Sequence, residues 1–272
     1  MTALSSGAAV PLARALTLRR ARDIALQWAA AVLLLAAWEG ASRAHLVHPF
    51  LLPPLDEVVA RLVEEVTSGL FFVNAGLTLY RAVTGFAIAA LIGVPVGIFI
   101  ARGGIAKWFF DPLVSIGLPM PKISFLPVFM LWFGLFDLSK IVMVAFASIF
   151  TIVAAAEAGT AGVDKFLAWS ARSLGARPAE IFFQIMLPAA LPHILTGLQV
   201  ALPIALITAV ASEILMGGTG LGGAMLQSGR YADSVGVFAG IIETAAVGML
   251  AVTAMTRARR RLLAWHAESD RA

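Results

Sequence analysis

The feature that most constrains this chain is an uncharged run of 19 residues, from Val83 to Ala101. A helix needs about 20 predominantly apolar residues to cross the hydrocarbon core of a bilayer. The whole chain has this character, because 60% of its 272 residues are apolar and only 13% are charged. Soluble domains are about 45–50% apolar and about 25% charged. The sequence therefore predicts an all-α, polytopic membrane helix bundle.

Six transmembrane helices are predicted from the apolar runs. They cover residues 24–41, 83–101, 109–136, 141–156, 194–216 and 235–253. The first run also fits a secretory signal peptide with a poor cleavage site, but an uncleaved helix is favoured because more spans follow. Between the first two spans, residues 48–71 have the periodicity of a short amphipathic helix.

The third predicted span differs from the others because it contains Asp111, Lys122 and four prolines. Broken backbone at membrane depth must be buried in protein or line a cavity, because lipid offers it no hydrogen bonds. This span is therefore predicted to be irregular and shielded from lipid.

Basic residues set the predicted orientation. Six spans place both termini on one side, and 14 of the 20 Lys and Arg residues fall there. Five fall on the other side: Arg43, Arg61, Arg81, Lys140 and Arg230. The positive-inside rule then places both termini in the cytoplasm. Nucleic acid is not an expected partner, because the arginine clusters at 14–23 and 256–265 flank apolar segments.

These patterns predict one transmembrane domain between two cytoplasmic tails. The tails are residues 1–23 and 257–272, the membrane domain is 24–256 with a core at 75–256, and a cytoplasmic loop covers 164–190.

The cytoplasmic loop is predicted to form a helical hairpin. One helix covers Lys165 to Leu174 and ends at Gly175, a residue suited to the left-handed turn after a helix. The next begins near Pro178, since proline is favoured in a first helical turn. This second helix is predicted to stop at Leu187-Pro188. Such a hairpin suits docking into a groove of another protein, and the alternative is a loop that folds back onto its own bundle.

The sequence "LGARPAEIFFQIMLPAALPHILTGL" (174–198) resembles the coupling loop of ABC-importer permeases. The family pattern is Glu-Ala-Ala, three residues, Gly, and then a hydrophobic stretch that ends in Leu-Pro. Gly175 and Leu187-Pro188 match it with the same spacing, and Ala171 and Ala176 also fit.

Trp169 departs from that pattern, because it stands where the family usually has glutamate, and Ser170 replaces the first alanine. The resemblance extends beyond the loop. Residues 79–101, 119–141 and 211–226 are similar to the permeases of nitrate, sulfonate and taurine importers.

The resemblance implies a permease with the type I ABC-importer fold in a bacterial inner membrane, a transport subunit and not an enzyme. It implies a homodimer whose hairpins sit in clefts of a dimer of ATPase subunits. A periplasmic or lipid-anchored binding protein would deliver a small solute, such as the anions nitrate, sulfonate or taurine. This chain has no G-x-x-x-x-G-K-[ST] motif, so the partner subunit would bind the ATP. No cofactor or metal is expected.

Two sets of site residues follow from the resemblance. The ATPase-coupling set is Arg172, Gly175, Ala176, Arg177, Leu187 and Pro188. The candidate pathway or gate set is Glu213, Lys122, Gly220 and Gly222. Charged residues at membrane depth are costly and face the protein interior or a partner. Glu213 is therefore either a pathway residue or half of a buried bracing pair, and for Lys122 a bracing role is favoured.

The segment "GTGLGG" (218–223) has the letters of the dinucleotide fingerprint G-x-G-x-x-G. That fingerprint requires a preceding strand, and here a membrane helix precedes it. The segment is therefore interpreted as a flexible outer turn.

A proton-coupled secondary transporter is the alternative function, with Glu213 and Glu243 as proton relays. Inverted internal repeats would favour it, and the sequence shows none.

Overall fold

The computed structural model describes residues 26 and 29–265, and all regular elements among them are helices. The α-helices are α1 (29–43), α2 (Leu55–Thr67), α3 (Leu70–Ala101), α4 (Gly104–Gly117), α5 (Leu126–Phe133), α6 (Asp137–Ala161), α7 (Lys165–Ser173), α8 (Pro178–Glu180), α9 (Leu187–Met216), α10 (Leu221–Arg230) and α11 (Ser234–Leu262). A 3₁₀ turn, Lys122–Phe125, precedes α5, and a π-helical turn, Ile181–Met186, joins α8 to α9. The all-α prediction is confirmed.

Within the described residues, four helical segments are long and apolar enough to cross a membrane. They are Leu70–Ala101, Asp137–Ala161, Pro178–Arg230 and Ser234–Leu262. These segments contain the second, fourth, fifth and sixth predicted spans, and each is longer than predicted. α11 continues to Leu262, so the predicted tail at 257–272 begins inside a helix. The first predicted span begins outside the described residues, and the count of six spans stays a prediction.

The third predicted span is broken, as its prolines and charges suggested. α4 and the helical segment Lys122–Phe133 meet at an angle of 98°. Together they are apolar enough to count as a fifth span. Leu118, Pro119, Pro121 and Ile123 at the bend are exposed, so the predicted shielding is not provided by this chain. Beyond the bend, Phe129 of α5 packs on Phe146 of α6 at 5.5 Å between ring centroids.

α3, α6 and α9 form the centre of the bundle, where glycines let the helices approach closely. A Cβ built on Gly85 would lie 2.7 Å from the Ile141 carbonyl oxygen and 2.7 Å from the Val144 side chain. A Cβ on Gly97 would likewise collide with α6. Small residues at helix contacts are a common basis of packing in membranes, where the hydrophobic effect does not drive helix association.

α2 is the predicted amphipathic helix, and it is tied to α11. Its Arg61 donates to Glu65 on the same helix at 2.8 Å and to Asp233 at 3.1 Å. The hydrogen bond that Arg61 donates to Glu65 is the main reason that the pKa of Arg61 is raised. Asp233 also accepts a hydrogen bond from the Gly236 N–H at 2.9 Å and so caps α11.

The second helix of the hairpin does not stop at Leu187-Pro188, so this prediction was wrong. The chain stays helical from Pro178 to Met216. The Leu187 N–H donates to the carbonyl of Phe182, five residues back, which widens the turn just before the proline. Pro188, the second residue of α9, directly follows this wider turn, and the helix continues through it.

Candidate functional site

The hairpin consists of residues 164–188. Backbone hydrogen bonds and the conformation of one glycine determine the shape of its turn. Gly175 has φ +87°, the left-handed conformation that a helix C-terminus commonly requires. The Ala176 N–H donates to the Ala171 carbonyl at 3.1 Å, and the Gly175 N–H donates to the Arg172 carbonyl at 3.0 Å. These two bonds form a Schellman motif, which satisfies the last carbonyls of α7. The predicted end of α7 at Gly175 is thus explained.

Both hairpin helices have capped N-termini. The Asp164 carboxylate accepts from the Phe166 N–H at 2.9 Å at the start of α7. The Glu180 carboxylate accepts from the Arg177 N–H at 2.7 Å at the start of α8. Pro178 follows as the first residue of α8. The shape of the hairpin is therefore fixed by local hydrogen bonds and does not depend on a partner.

The outer surface of the hairpin is apolar and basic. Leu174, at the turn, is 88% exposed, and Phe166 and Trp169 are exposed with their rings in edge contact at 5.2 Å between centroids. The side chains of Arg172 and Arg177 are exposed beside them. An apolar surface of this kind next to cationic side chains is suited to binding another protein.

The six predicted coupling residues fall in two places. Four surround the turn: Arg172, Gly175, Ala176 and Arg177. Leu187 and Pro188 are half-buried at the start of α9, twelve residues or more from Gly175 along the chain. They connect the hairpin to the bundle and are not at its tip.

A buried ion pair lies at the opposite end of α9. Glu213 is fully buried and Arg81 is 2% exposed. An Nη of Arg81 is 2.6 Å from the Glu213 carboxylate and also donates to the Thr219 carbonyl at 2.6 Å. The same guanidinium pairs with Asp137 at the start of α6, at 2.7 Å. Arg81 therefore joins α3 to α6 and to the segment after α9.

Glu213 has further donors, so its charge is well compensated. Thr78 donates through Oγ1 at 2.8 Å, and the Gly222 N–H donates at 3.0 Å. Gly222 lies in the first turn of α10, where the helix dipole favours a negative charge. We name Thr78, Arg81, Asp137, Glu213 and Thr219 the ion-pair cluster.

The glycine-rich segment 217–223 wraps around this carboxylate. Gly220 has φ +107°, and a Cβ built there would lie 2.5 Å from the Glu213 carboxyl. A Cβ on Gly222 would lie 2.8 Å from Glu213 Cβ. The glycines that match the dinucleotide fingerprint therefore have a structural role in this chain. Glycines and a helix N-terminus hold an anion, and the anion is the chain's own side chain. The interpretation as a flexible turn was wrong, because six backbone and side-chain bonds hold the segment.

Several residues of this region were missed by the sequence analysis. Arg81 and Lys140 were counted as charges that set topology, yet both are 2% exposed. Lys140 donates to the Gly217 carbonyl at 2.9 Å, and Asn74 accepts from the Gly220 N–H at 3.2 Å. The signal available was Glu213 itself, because a carboxylate within a span implies a buried cation or donor.

Lys122 occupies the bend of the broken span. Its Nζ donates to the Leu118 carbonyl at 2.8 Å and lies 6.0 Å from the ring centroid of Phe150. The first contact satisfies a carbonyl at the end of α4, where the helix has no further N–H to offer. These contacts favour a bracing role for Lys122, which stays a prediction.

The two glutamates of the proton-relay alternative are not connected. Glu213 has the three donors described above, whereas Glu243 of α11 is 4% exposed and its Oε1 has no hydrogen bond among the described residues. Glu243 faces Glu65 and Arg61 of α2. No hydrogen bond therefore joins Glu213 to Glu243 within the residues that the structure describes.

The comparison with known proteins points to transport. Residues 93–264 match the family described as "Binding-protein-dependent transport system inner membrane component". The chain is 31% identical to the taurine transport system permease protein TauC of Escherichia coli (strain K12), over 91% of this chain and 92% of that protein. It is also 31% identical to the putative aliphatic sulfonates transport permease protein SsuC of Bacillus subtilis (strain 168), over 85% and 84%.

A solved structure shows the same fold. It is the crystal structure of an amino acid ABC transporter with histidines, which matches with a TM-score of 0.59 at 19% sequence identity. The match covers 74% of this chain and 96% of that one.

Proposed function

Because this chain belongs to the binding-protein-dependent transport system inner membrane components, we propose that it carries a small organic sulfonate such as taurine across the inner membrane. It is a permease subunit of an ABC importer, a transport component and not an enzyme. Such permeases act with an ATPase and a binding protein. The substrate class is supported by the taurine and sulfonate permeases that the chain resembles over most of its length.

The hairpin is the ATPase-coupling element of this permease. The observation that carries this assignment is the rigid turn at Gly175, which presents Leu174, Arg172 and Arg177 to solvent. An element shaped without its partner loses little conformational entropy on docking. Leu187 and Pro188 transmit the movement of the docked hairpin to α9.

The assembly is a homodimer of permeases on two ATPase subunits, with six spans in each permease and both termini in the cytoplasm. The excess of basic residues beside the predicted cytoplasmic ends supports this orientation. ATP binds to the partner subunits. A periplasmic or lipid-anchored binding protein delivers the sulfonate at the end that carries the ion-pair cluster.

The ion-pair cluster braces this end and is not a gate that opens onto the pathway. Its complete hydrogen bonding supports this assignment, since a buried ion pair that loses one partner is strongly destabilised. Glu213, Gly220 and Gly222 act as one unit, and Lys122 braces the broken span.

Uptake and ATP hydrolysis test the coupling assignment. The permease is reconstituted in proteoliposomes with its ATPase and with binding protein loaded with taurine. Gly175→Asp is expected to abolish taurine-stimulated ATP hydrolysis while the protein stays folded in the membrane. Gly69→Asp is the matched control, because Gly69 also has a positive φ, +81°, and open space around it.

Gly69→Asp is expected to retain stimulation. Equal loss in both variants would mean that the effect is conformational strain, and normal stimulation in Gly175→Asp would contradict the coupling assignment. A permease that responds to ATP and binding protein but transports a different anion would contradict only the proposed substrate class.

A further inference from the structure

A cavity of about 550 Å³ lies between the end of α3 and the hairpin. It is lined by Pro95, Ile98, Phe99, Arg102, Phe182 and Phe183, among others. Its volume is within the range of roughly 300–1,000 Å³ that is typical of small-molecule sites. Apart from the arginine, the side chains that line it are apolar.

Arg102 is the single charged side chain of this cavity. Its guanidinium lies 4.3 Å from the ring centroid of Phe182 and 5.6 Å from that of Phe99. Among the described residues it has no acidic partner, whereas nearby Lys107 pairs with Glu157 at 2.9 Å. The two rings lie close to the cation in the cavity wall. Within the part of the chain that the structure describes, no carboxylate pairs with it, so its N–H groups can bind an anion.

The position of Arg102 along the chain places this cation at the membrane surface. It is the first charge after the uncharged run that ends at Ala101, so the boundary between acyl chains and headgroups lies at this residue. The cavity extends from there toward Pro95, back along the membrane-spanning part of α3. An occupant would thus have a charged end at the surface and an apolar part at membrane depth.

The π-helical turn Ile181–Met186 supplies a second, independent observation. It contributes both Phe182 and Phe183 to the cavity wall. Phe183 is 64% exposed. Insertions of a π turn into an α-helix are frequently found at functional sites, and this one directs two adjacent aromatic residues to the same cavity.

We propose that this cavity binds an anionic phospholipid of the surrounding leaflet, with the headgroup phosphate on Arg102 and an acyl chain between Pro95 and Phe183. The bound lipid bridges α3 and the hairpin. The site requires only a membrane around the bundle. Its failure in the experiment below would therefore leave the permease function untouched.

The direct test is lipid binding by the purified, delipidated full-length protein. It is titrated separately with dioleoyl phosphatidylglycerol and dioleoyl phosphatidylcholine, and bound lipid is counted by native mass spectrometry. Phosphatidylglycerol is expected to bind saturably and more tightly than phosphatidylcholine. Arg102→Gln is expected to weaken phosphatidylglycerol binding about fivefold, the contribution of one basic residue near a membrane surface. It should leave phosphatidylcholine binding unchanged.

Three variants separate the parts of the proposal. Arg102→Lys keeps the charge and is expected to keep most of the preference for phosphatidylglycerol. Ala179→Trp fills the cavity without removing the arginine and is expected to weaken both lipids. Arg257→Gln makes the same change as Arg102→Gln at an exposed arginine outside the cavity, and it should bind both lipids as the unmodified protein does.

Two results would overturn the proposal. One is equal binding of the two lipids that neither Arg102→Gln nor Ala179→Trp alters. The other is occupation of the cavity by a second copy of the chain. Because the chain has no cysteine, Phe183→Cys introduces a single thiol, and an efficient disulfide-linked dimer in membranes would assign the cavity to the subunit interface. A Phe183→Cys protein that forms no disulfide-linked dimer places the cavity outside the subunit interface, as the lipid proposal requires.

Discussion

The two ends of α9 differ in how their charged and apolar side chains are exposed and bonded. At one end, the hairpin has a fixed backbone and side chains that are exposed and unpaired, such as Leu174 and Arg172. At the other end, Arg81 and Glu213 of the ion-pair cluster are buried and bonded to each other. Substitutions at the first end should change what the protein binds, and substitutions at the second should change whether it folds. The following predictions are ordered by their expected effect on stability.

The largest effect is expected from Glu213→Ala. It leaves the buried Arg81 with only part of its compensation, and breaking a buried pair from one side costs about 3–5 kcal/mol. We expect a large fall in folded protein, measured by size-exclusion chromatography after heating in detergent. The double variant Arg81→Met/Glu213→Leu removes both charges and should be much less damaging. If the double variant were worse than Glu213→Ala, the pair would not act as a unit.

The next largest loss of stability is expected from Gly220→Ala, compared with Gly175→Ala. Gly220→Ala combines a left-handed φ with a collision against the Glu213 carboxyl, which together cost about 2–4 kcal/mol. Gly175→Ala has a similar φ but no atom within 4 Å of the added Cβ, so it costs only about 1–2 kcal/mol. Thermal unfolding of the two variants in the same detergent measures the difference. Equal destabilisation would mean that the carboxylate is not held as the structure shows.

A smaller effect is expected at the bend of the broken span. Lys122→Met keeps the apolar stem and removes the hydrogen bond to the Leu118 carbonyl, at a cost of about 0.5–1.5 kcal/mol. Unfolding measurements should show a modest shift, and substrate-stimulated ATP hydrolysis should persist. A folded Lys122→Met protein without transport would instead assign this residue to the pathway.

The smallest effect on stability is expected from Trp169→Ala. The side chain is 55% exposed, and surface substitutions usually change stability by less than about 0.5 kcal/mol. Its ring lies on the binding surface of the hairpin, so we expect affinity for the ATPase to fall by about 2 kcal/mol, as for an aromatic hot spot. Titration of detergent-solubilised ATPase onto immobilised permease measures this. Unchanged affinity would mean that Trp169 does not contribute to ATPase binding.

The comparison also explains what could be predicted from sequence. The hairpin turn follows local rules, since Gly175 and Pro178 act through the few residues beside them. The partnership of Arg81 and Glu213 joins residues 132 positions apart, and no local pattern identifies that pair. Of these two residues, only Glu213 was recognised from the sequence as needing a partner.

Two errors have specific physical causes. A proline inside a helix usually ends or kinks it, so Pro188 suggested the end of a helix. The π turn before it removed that conflict, and a π turn has no sequence signature as simple as a proline. Likewise, Arg81 lies two residues before the predicted span that begins at Val83, so its position suggested a charge at the membrane surface.

The unbroken helical path from Pro178 to Met216 has a mechanical consequence. At 1.5 Å per residue a straight α-helix of this many residues would be ~58 Å long, although Pro192 and Pro203 lie inside α9. The far end carries Glu213, which is anchored to α3 through Arg81 and Thr78. A helix whose far end is bonded to neighbouring helices cannot move independently of them. In the proposed coupling role of the hairpin, a displacement at Gly175 would therefore move α3, α6 and α9 together.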